Sequence, residues 1–158
     1  MNGEHDRFMQ EALALARQGI SQGDGGPFGA VVVCDGEIVG RGWNQVVLHK
    51  DPTAHAEILA IRDACRRLGR FHLEDAILYT TCEPCPMCLS AVYWARIPTL
   101  VYAADAGDAA AIGFDDRRIK QFLCQPLNKG KIQVRRTLQQ EALEIFRQWE
   151  QDPDKVRY

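Results

Sequence analysis

The sequence predicts an α/β fold, and three observations predict it. Stretches with apolar residues at helical spacing alternate with short, continuously apolar or β-branched runs. The short runs at Ala76 to Thr81 and Thr99 to Ala104 have no polar face, as strands do when helices cover both sides of a sheet. Size and composition agree: 158 residues, 46% hydrophobic and 25% charged, suit one domain with a core of its own, so residues 1–158 are read as a single domain.

Taken in order, Phe8, Ala12, Leu15, Ala16 and Gly19 recur at helical spacing between Arg7 and Ile20, and the run Gly23-Asp24-Gly25-Gly26-Pro27 stops the pattern. Phe28 to Val33 reads as a strand, Asp35-Gly36 as a two-residue hairpin turn and Glu37 to Gly42 as the returning strand. Trp43 to Thr53 reads as loop. Thr53 is the expected cap of a helix from Ala54 to about Leu68. The strand from Ala76 runs through a turn at Cys82 to Pro84 into a helix over Cys85 to Arg96. After the strand at Thr99 comes an Ala, Gly and Asp-rich stretch to Asp116, then a short helix over Arg117 to Cys124. Ile132 to Leu138 alternates like an edge strand, and Thr137 opens an expected capping box for a helix carrying Ala142, Leu143, Ile145, Phe146 and Trp149.

Charge and cysteine usage narrow the function. A net charge of −2 gives no broad basic field for a nucleic-acid backbone. The first seven residues carry acids and lead into no unbroken apolar run, so neither a signal peptide nor a membrane span is expected, and the cytoplasm is the expected location. Six cysteines in a reducing compartment are better read as metal ligands, where they cluster, than as a disulfide frame.

They cluster at Cys82, Cys85 and Cys88. Cys85 and Cys88 are three apart at a helix start, where unpaired N–H groups favour thiolates, and His55 offers a third ligand from the start of another helix. Three protein ligands leave the fourth position of a tetrahedral zinc ion for water, the mark of a catalytic site. Glu57 stands two residues after His55, which on an ideal helix is nearly the opposite face; convergence beyond the first turn would let it reach that water. Two other readings remain: a structural zinc site with Cys82 as fourth ligand, and an iron–sulfur run, which would leave His55 unexplained.

His55-Ala56-Glu57 and Pro84-Cys85-Pro86-Met87-Cys88 fit, residue for residue, the signature of zinc-dependent nucleobase deaminases. With Gly26-Pro27-Phe28-Gly29-Ala30, Asn44, Tyr93-Trp94-Ala95-Arg96 and Gly113-Phe114-Asp115-Asp116, the chain resembles the cytidine-deaminase-like superfamily over most of its length, and within it the bacterial guanine deaminases. The resemblance implies a three-layer αβα fold with a mixed five-stranded sheet flanked by helices. It also implies a Zn2+ cofactor held by His55, Cys85 and Cys88, and hydrolysis of guanine to xanthine and ammonia. Glu57 would then be the proton shuttle, with Asn44, Phe28, Ala56, Asp116 and Tyr158 around the base. A homodimer that exchanges its C-terminal segment, bringing Tyr158 to the partner's pocket, is implied as well.

The metal signature alone leaves the base open, since guanosine, cytosine, adenine and transfer-RNA adenosine deaminases share it. Glu141, Glu144, Glu150, Asp152 and Asp154 make the terminal region mixed to acidic, against a transfer-RNA substrate, while Lys120, Lys129, Lys131, Arg135 and Arg136 form a local basic run better read as a solvated face. A zinc-stabilised binding module without turnover is the rival of another class, and Glu57 beside the ligands argues against it. Cys34 and Cys65 read as core thiols.

Overall fold

A computed structural model of the chain describes residues 2–157. The residues to Asp116 form one compact unit and those from Arg117 a second. The first begins with α1 (Asn2–Gln22), longer than its apolar period at both ends, followed by β1 (Gly29–Cys34) and β2 (Glu37–Trp43). Asp35 and Gly36, at φ 50° and 76°, make the tight hairpin turn that their identities announce. A single turn, α2 (Val46–His49), interrupts what reads as loop, and α3 (Ala56–Leu68) follows. Then come β3 (Ala76–Cys82), α4 (Pro86–Trp94), β4 (Thr99–Ala104) and α5 (Ala106–Ala111). Asp105 and Asp108 close a reciprocal capping box on α5.

The sheet order is β2-β1-β3-β4. β1 pairs antiparallel with both β2 and β3, and β3 pairs parallel with β4, so the sheet is mixed. Every residue of β1 is buried, as in a strand covered on both faces. Val31, Val33 and Tyr79 point to one side and pack with Phe8 of α1. Ala30, Val32 and Leu78 point to the other, toward Ala56, Ala60 and Ala64 of α3 and Val92 of α4. This is the helix, sheet, helix layering that the resemblance implies. α3 lies unusually close to β2: a Cβ at Gly42 would run into the Ala56 carbonyl, and one at Gly40 would stand 2.8 Å from the Ala64 methyl. That approach fixes where the helix begins.

Among the described residues the sheet has four strands, not five. The expected edge strand at Ile132 to Leu138 forms no ladder. Its alternation lasts only from Ile132 to Val134 before Arg135-Arg136 break it, and Ile132 is 80% exposed, so no apolar layer rewards an extended pairing there. The second unit instead contains α6 (Arg117–Leu123), a 3-10 turn at Leu127–Lys129 and α7 (Gln139–Gln151). The capping box expected at Thr137 is absent. The N-cap is Leu138, left-handed at φ 51° and without a side-chain cap, which shifts Gln140 out of the position a box requires. No described residue from 117 onward is buried. Among the described residues no helix is long and apolar enough to cross a membrane.

Candidate active site

Two helix starts meet at one corner. His55, not Thr53, occupies the N-cap of α3, with extended backbone at φ −74° and ψ 155°. Thr53 instead donates its N–H and its hydroxyl to Asp51 Oδ1 at 2.8 and 2.7 Å, a turn that ends before the helix begins. Cys85 is the N-cap of α4, likewise extended, with Pro86 in the first turn where its missing N–H costs nothing. Cys88 follows in that turn, fully buried.

His55 Nδ1 lies 3.6 Å from Cys85 Sγ and 3.5 Å from Cys88 Sγ. Bond lengths of about 2.3 Å to sulfur and about 2.05 Å to nitrogen, at a tetrahedral angle, put nitrogen and sulfur about 3.6 Å apart around zinc. The donors therefore fit zinc in type and in spacing, and all three lie within 4.8 Å of one another. Among the described residues no fourth side chain joins the group. Cys82 turns away: its thiol faces the Asp105 carbonyl at 3.7 Å, and burial together with the nearby Glu57, Glu83, Asp105 and Asp108 carboxylates pushes it up to about 11. The fourth-ligand and iron–sulfur readings both lose the residue they need.

The thiols divide one proton unequally. A hydrogen bond from Cys88 lowers Cys85 to about 4 against the effect of its burial, with the His55 ring helping. Cys88 is raised correspondingly, first by that bond and then by burial and the Glu57 carboxylate. His55 is raised by its bond to the Cys85 sulfur, which outweighs burial. A dication in place of the shared proton would favour both thiolates and a neutral imidazole.

Glu57 is buried in the first turn of α3, and its Oε2 accepts from Cys88 Sγ at 3.4 Å. The opposite-face objection raised by its spacing disappears because His55 is not helical. With His55 at the extended cap, both side chains reach forward past the helix end. Burial is the largest influence on the Glu57 carboxyl and pushes it up, as suits a group that takes and returns protons.

Beside this corner stands a second set. Gln45 N–H donates to the Ala54 carbonyl at 3.0 Å, tying the end of β2 to the start of α3. Asn44, 4% exposed, sits at that tie, and its Oδ1 accepts from the N–H groups of Gly26 and Val46, each at 3.2 Å. Asn44 N–H in turn donates to the Phe28 carbonyl at 2.9 Å. Phe28 is half-buried and stacks edge-on against Phe114, centroids 4.9 Å apart at 87°. Ala56 is fully buried at the first position of α3, where its N–H has no helical partner. Asp116 is half-buried at the close of the first unit, two residues past Phe114. Tyr158 lies outside the described residues.

Sequence reasoning missed Phe114, which sits inside a quoted stretch but follows no period, and Asp24. The Asp24 carboxylate accepts from Trp43 Nε1 at 2.7 Å and its carbonyl from Val47 and Leu48 N–H at 3.0 Å. A tryptophan N–H beside a buried strand end asks for such an acceptor, and that was the available signal.

The sequence profile of the cytidine and deoxycytidylate deaminase zinc-binding region matches residues 2–104. The chain is 47% identical to guanine deaminase of Bacillus subtilis over 154 residues, covering 98% of this chain and 99% of that one. The crystal structure of guanine deaminase from Bacillus subtilis superposes with a TM-score of 0.93 over 98% of both chains. A mutant protein crystallised with 8-azaguanine is 40% identical, with a TM-score of 0.68 over 71% of this chain and 65% of that one. The transfer-RNA-specific adenosine deaminase of Haemophilus influenzae is 40% identical over 75% of this chain and 71% of its own.

Proposed function

This chain belongs to the cytidine and deoxycytidylate deaminase zinc-binding family and is a zinc-dependent hydrolytic deaminase; from that premise we propose that its substrate is guanine, converted to xanthine and ammonia. What carries the reading is the convergence of one carboxylate, Glu57 Oε2, on a three-donor corner. The choice of guanine rests on similarity that extends through both units to 98% of each chain, whereas the transfer-RNA relative aligns with 75% of this one.

His55, Cys85 and Cys88 would hold the zinc, which when bound supplies a positive charge that brings the pKa of a water from about 16 toward about 7. The chain's own residues do the rest. Glu57 takes a proton from the attacking water as its oxygen bonds to C2 of the purine, and delivers that proton to N3. It then carries a second proton to the C2 amine, so that the C2–N bond breaks with ammonia leaving and the C2 carbonyl of xanthine forming. The buried setting keeps bulk water away from the carboxylate. Asn44 donates to the base, Phe28 packs on its face, the Ala56 N–H is free to donate to it, and Asp116 accepts from its N–H groups.

The protein acts in the cytoplasm as a homodimer whose C-terminal segments exchange, carrying Tyr158 to the partner's pocket. Support comes from the resemblance and from α7, whose Ile145, Phe146 and Trp149 are 63%, 65% and 42% exposed and lack any buried neighbour in their own unit. Deleting residues 156–158 is expected to raise KM with zinc content unchanged; unaltered kinetics would remove the tail from the pocket.

The deciding experiment is a deamination panel of guanine, guanosine, adenine, cytosine and a transfer-RNA anticodon stem, read as ammonia release or inosine formation. Guanine is expected to turn over fastest. Faster turnover of any other member would replace the substrate.

A further inference from the structure

Asn44 is held more tightly than a contact residue at a strand end needs to be. Its side-chain oxygen has two lone pairs, and both are engaged by backbone N–H groups, from Gly26 on one side and Val46 on the other. Those two donors fix which end of the amide is oxygen. The other end, Nδ2, makes no hydrogen bond with any described residue, although the side chain is buried. The loop responsible fits closely: a Cβ on Gly25 would lie within the van der Waals envelope of Asn44 Oδ1 and 2.8 Å from the Asn44 carbonyl oxygen. No positive φ is required at Gly25, so glycine is demanded there by space and not by backbone conformation. Asp24 anchors both flanks of Asn44, through Trp43 Nε1 before it and the N–H groups of Val47 and Leu48 after it.

We infer that residues Asp24 to Gly26 form a clamp that holds Asn44 as a donor-only probe, so that the pocket wall reads a hydrogen-bond acceptor on the purine and Gly25 is a positioning residue for substrate choice. The inference rests on the purine-deaminase reading and deepens it. An asparagine free to rotate could offer either end and would accept a donor or an acceptor edge alike. With its oxygen saturated, only the N–H groups remain to meet the base, and a ring edge presenting N–H there leaves two donors facing each other without a partner. The metal corner and Glu57 would serve any amidine carbon brought to them; the clamp belongs to recognition.

One isosteric change and one added methyl separate this from a purely structural role. Asn44→Asp keeps an oxygen for the Gly26 and Val46 N–H groups and replaces the free donor by an acceptor. Gly25→Ala forces Asn44 to move. The affinity for 8-azaguanine by calorimetry and the kinetics of ammonia release from guanine are measured for the wild type, both single variants and the double variant, each with zinc content determined. Asn44→Asp is expected to weaken binding and raise KM about 10- to 100-fold with a smaller change in kcat and full zinc. Gly25→Ala is expected to do the same, and the double variant to be little worse than Asn44→Asp, because both act through one group. Wild-type affinity in Asn44→Asp would overturn the inference, as would additive losses in the double variant. A wild type that binds 8-azaguanine but releases no ammonia from guanine would defeat the substrate reading alone, with the clamp still judged on the binding of the variants. If Gly25→Ala fails to fold, Asn44→Asp decides by itself.

Discussion

Residues 2–116 and residues 117–157 are built on different terms. The first unit buries Phe8, Val31, Val32, Leu78 and Tyr79 almost completely around its own sheet; the second has no buried residue among those described and shows the apolar face of α7 to its surroundings. Chemistry sits with the core. The metal corner needs donors held to within tenths of an ångström, which a close-packed layer provides and a segment without buried residues does not.

Three tests would break or sharpen that contrast, in decreasing order of effect. Glu57→Gln keeps the shape of the corner and removes the carboxylate proposed to carry its protons. Ammonia release should fall by about 10² to 10⁴-fold with zinc still bound; undiminished turnover would show that the buried unit does not hold the catalytic group.

The next is a matched pair. Leu78→Ala, fully buried on β3, should destabilise the chain by about 2–5 kcal/mol, whereas Phe146→Ala, 65% exposed on α7, should change unfolding of the first unit by no more than about 0.5 kcal/mol. Equal losses in denaturant titrations would mean that the two units fold as one.

The smallest effect concerns Asp63, 8% exposed on α3, which accepts from Arg41 N–H at 3.0 Å and pairs with Arg66 and Arg67. Burial alone would raise its pKa, but the Arg41 N–H and the two guanidinium groups outweigh it and leave the carboxyl below its usual value. A depressed folded pKa stabilises the protein above the unfolded value near about 4, and that contribution is lost as pH falls below it. Asp63→Asn should therefore flatten the acid limb of the stability profile below about pH 4 while leaving its slope at neutral pH alone. Superimposable acid limbs for variant and wild type would remove Asp63 from the account.

Much of the molecule was legible in the chain. The Asp35-Gly36 hairpin, the strand at Thr99 and the helix over Arg117 to Cys124 stand within a residue of their expected bounds, because each is a local pattern with a local cause. The ligand set was legible too, since soft donors three residues apart at a helix start have few other uses. The failures share a trait. Thr53 looked like a helix cap but was taken by Asp51, and Ile132 to Leu138 looked like a strand but had nothing to pair with. In both, residue type announced an element, and what stood beside it, the Asp51 carboxylate two residues away or the lack of a pairing strand, decided the outcome.

By itself, then, the sequence determined the alternation of elements, the identity of the zinc donors and the class of reaction, since periodicity and ligand chemistry are carried by neighbouring residues. The tertiary structure alone decided that His55 caps its helix so that Glu57 can share its corner. It also decided that Cys82 turns to Asp105, and that Gly26 and Val46 saturate one end of Asn44 while a Cβ at Gly25 would collide with it. Those outcomes follow from tertiary pairing: Cys82 meets Asp105 through the parallel pairing of β3 with β4, and α3 packs where the glycines of β2 let it close on the sheet.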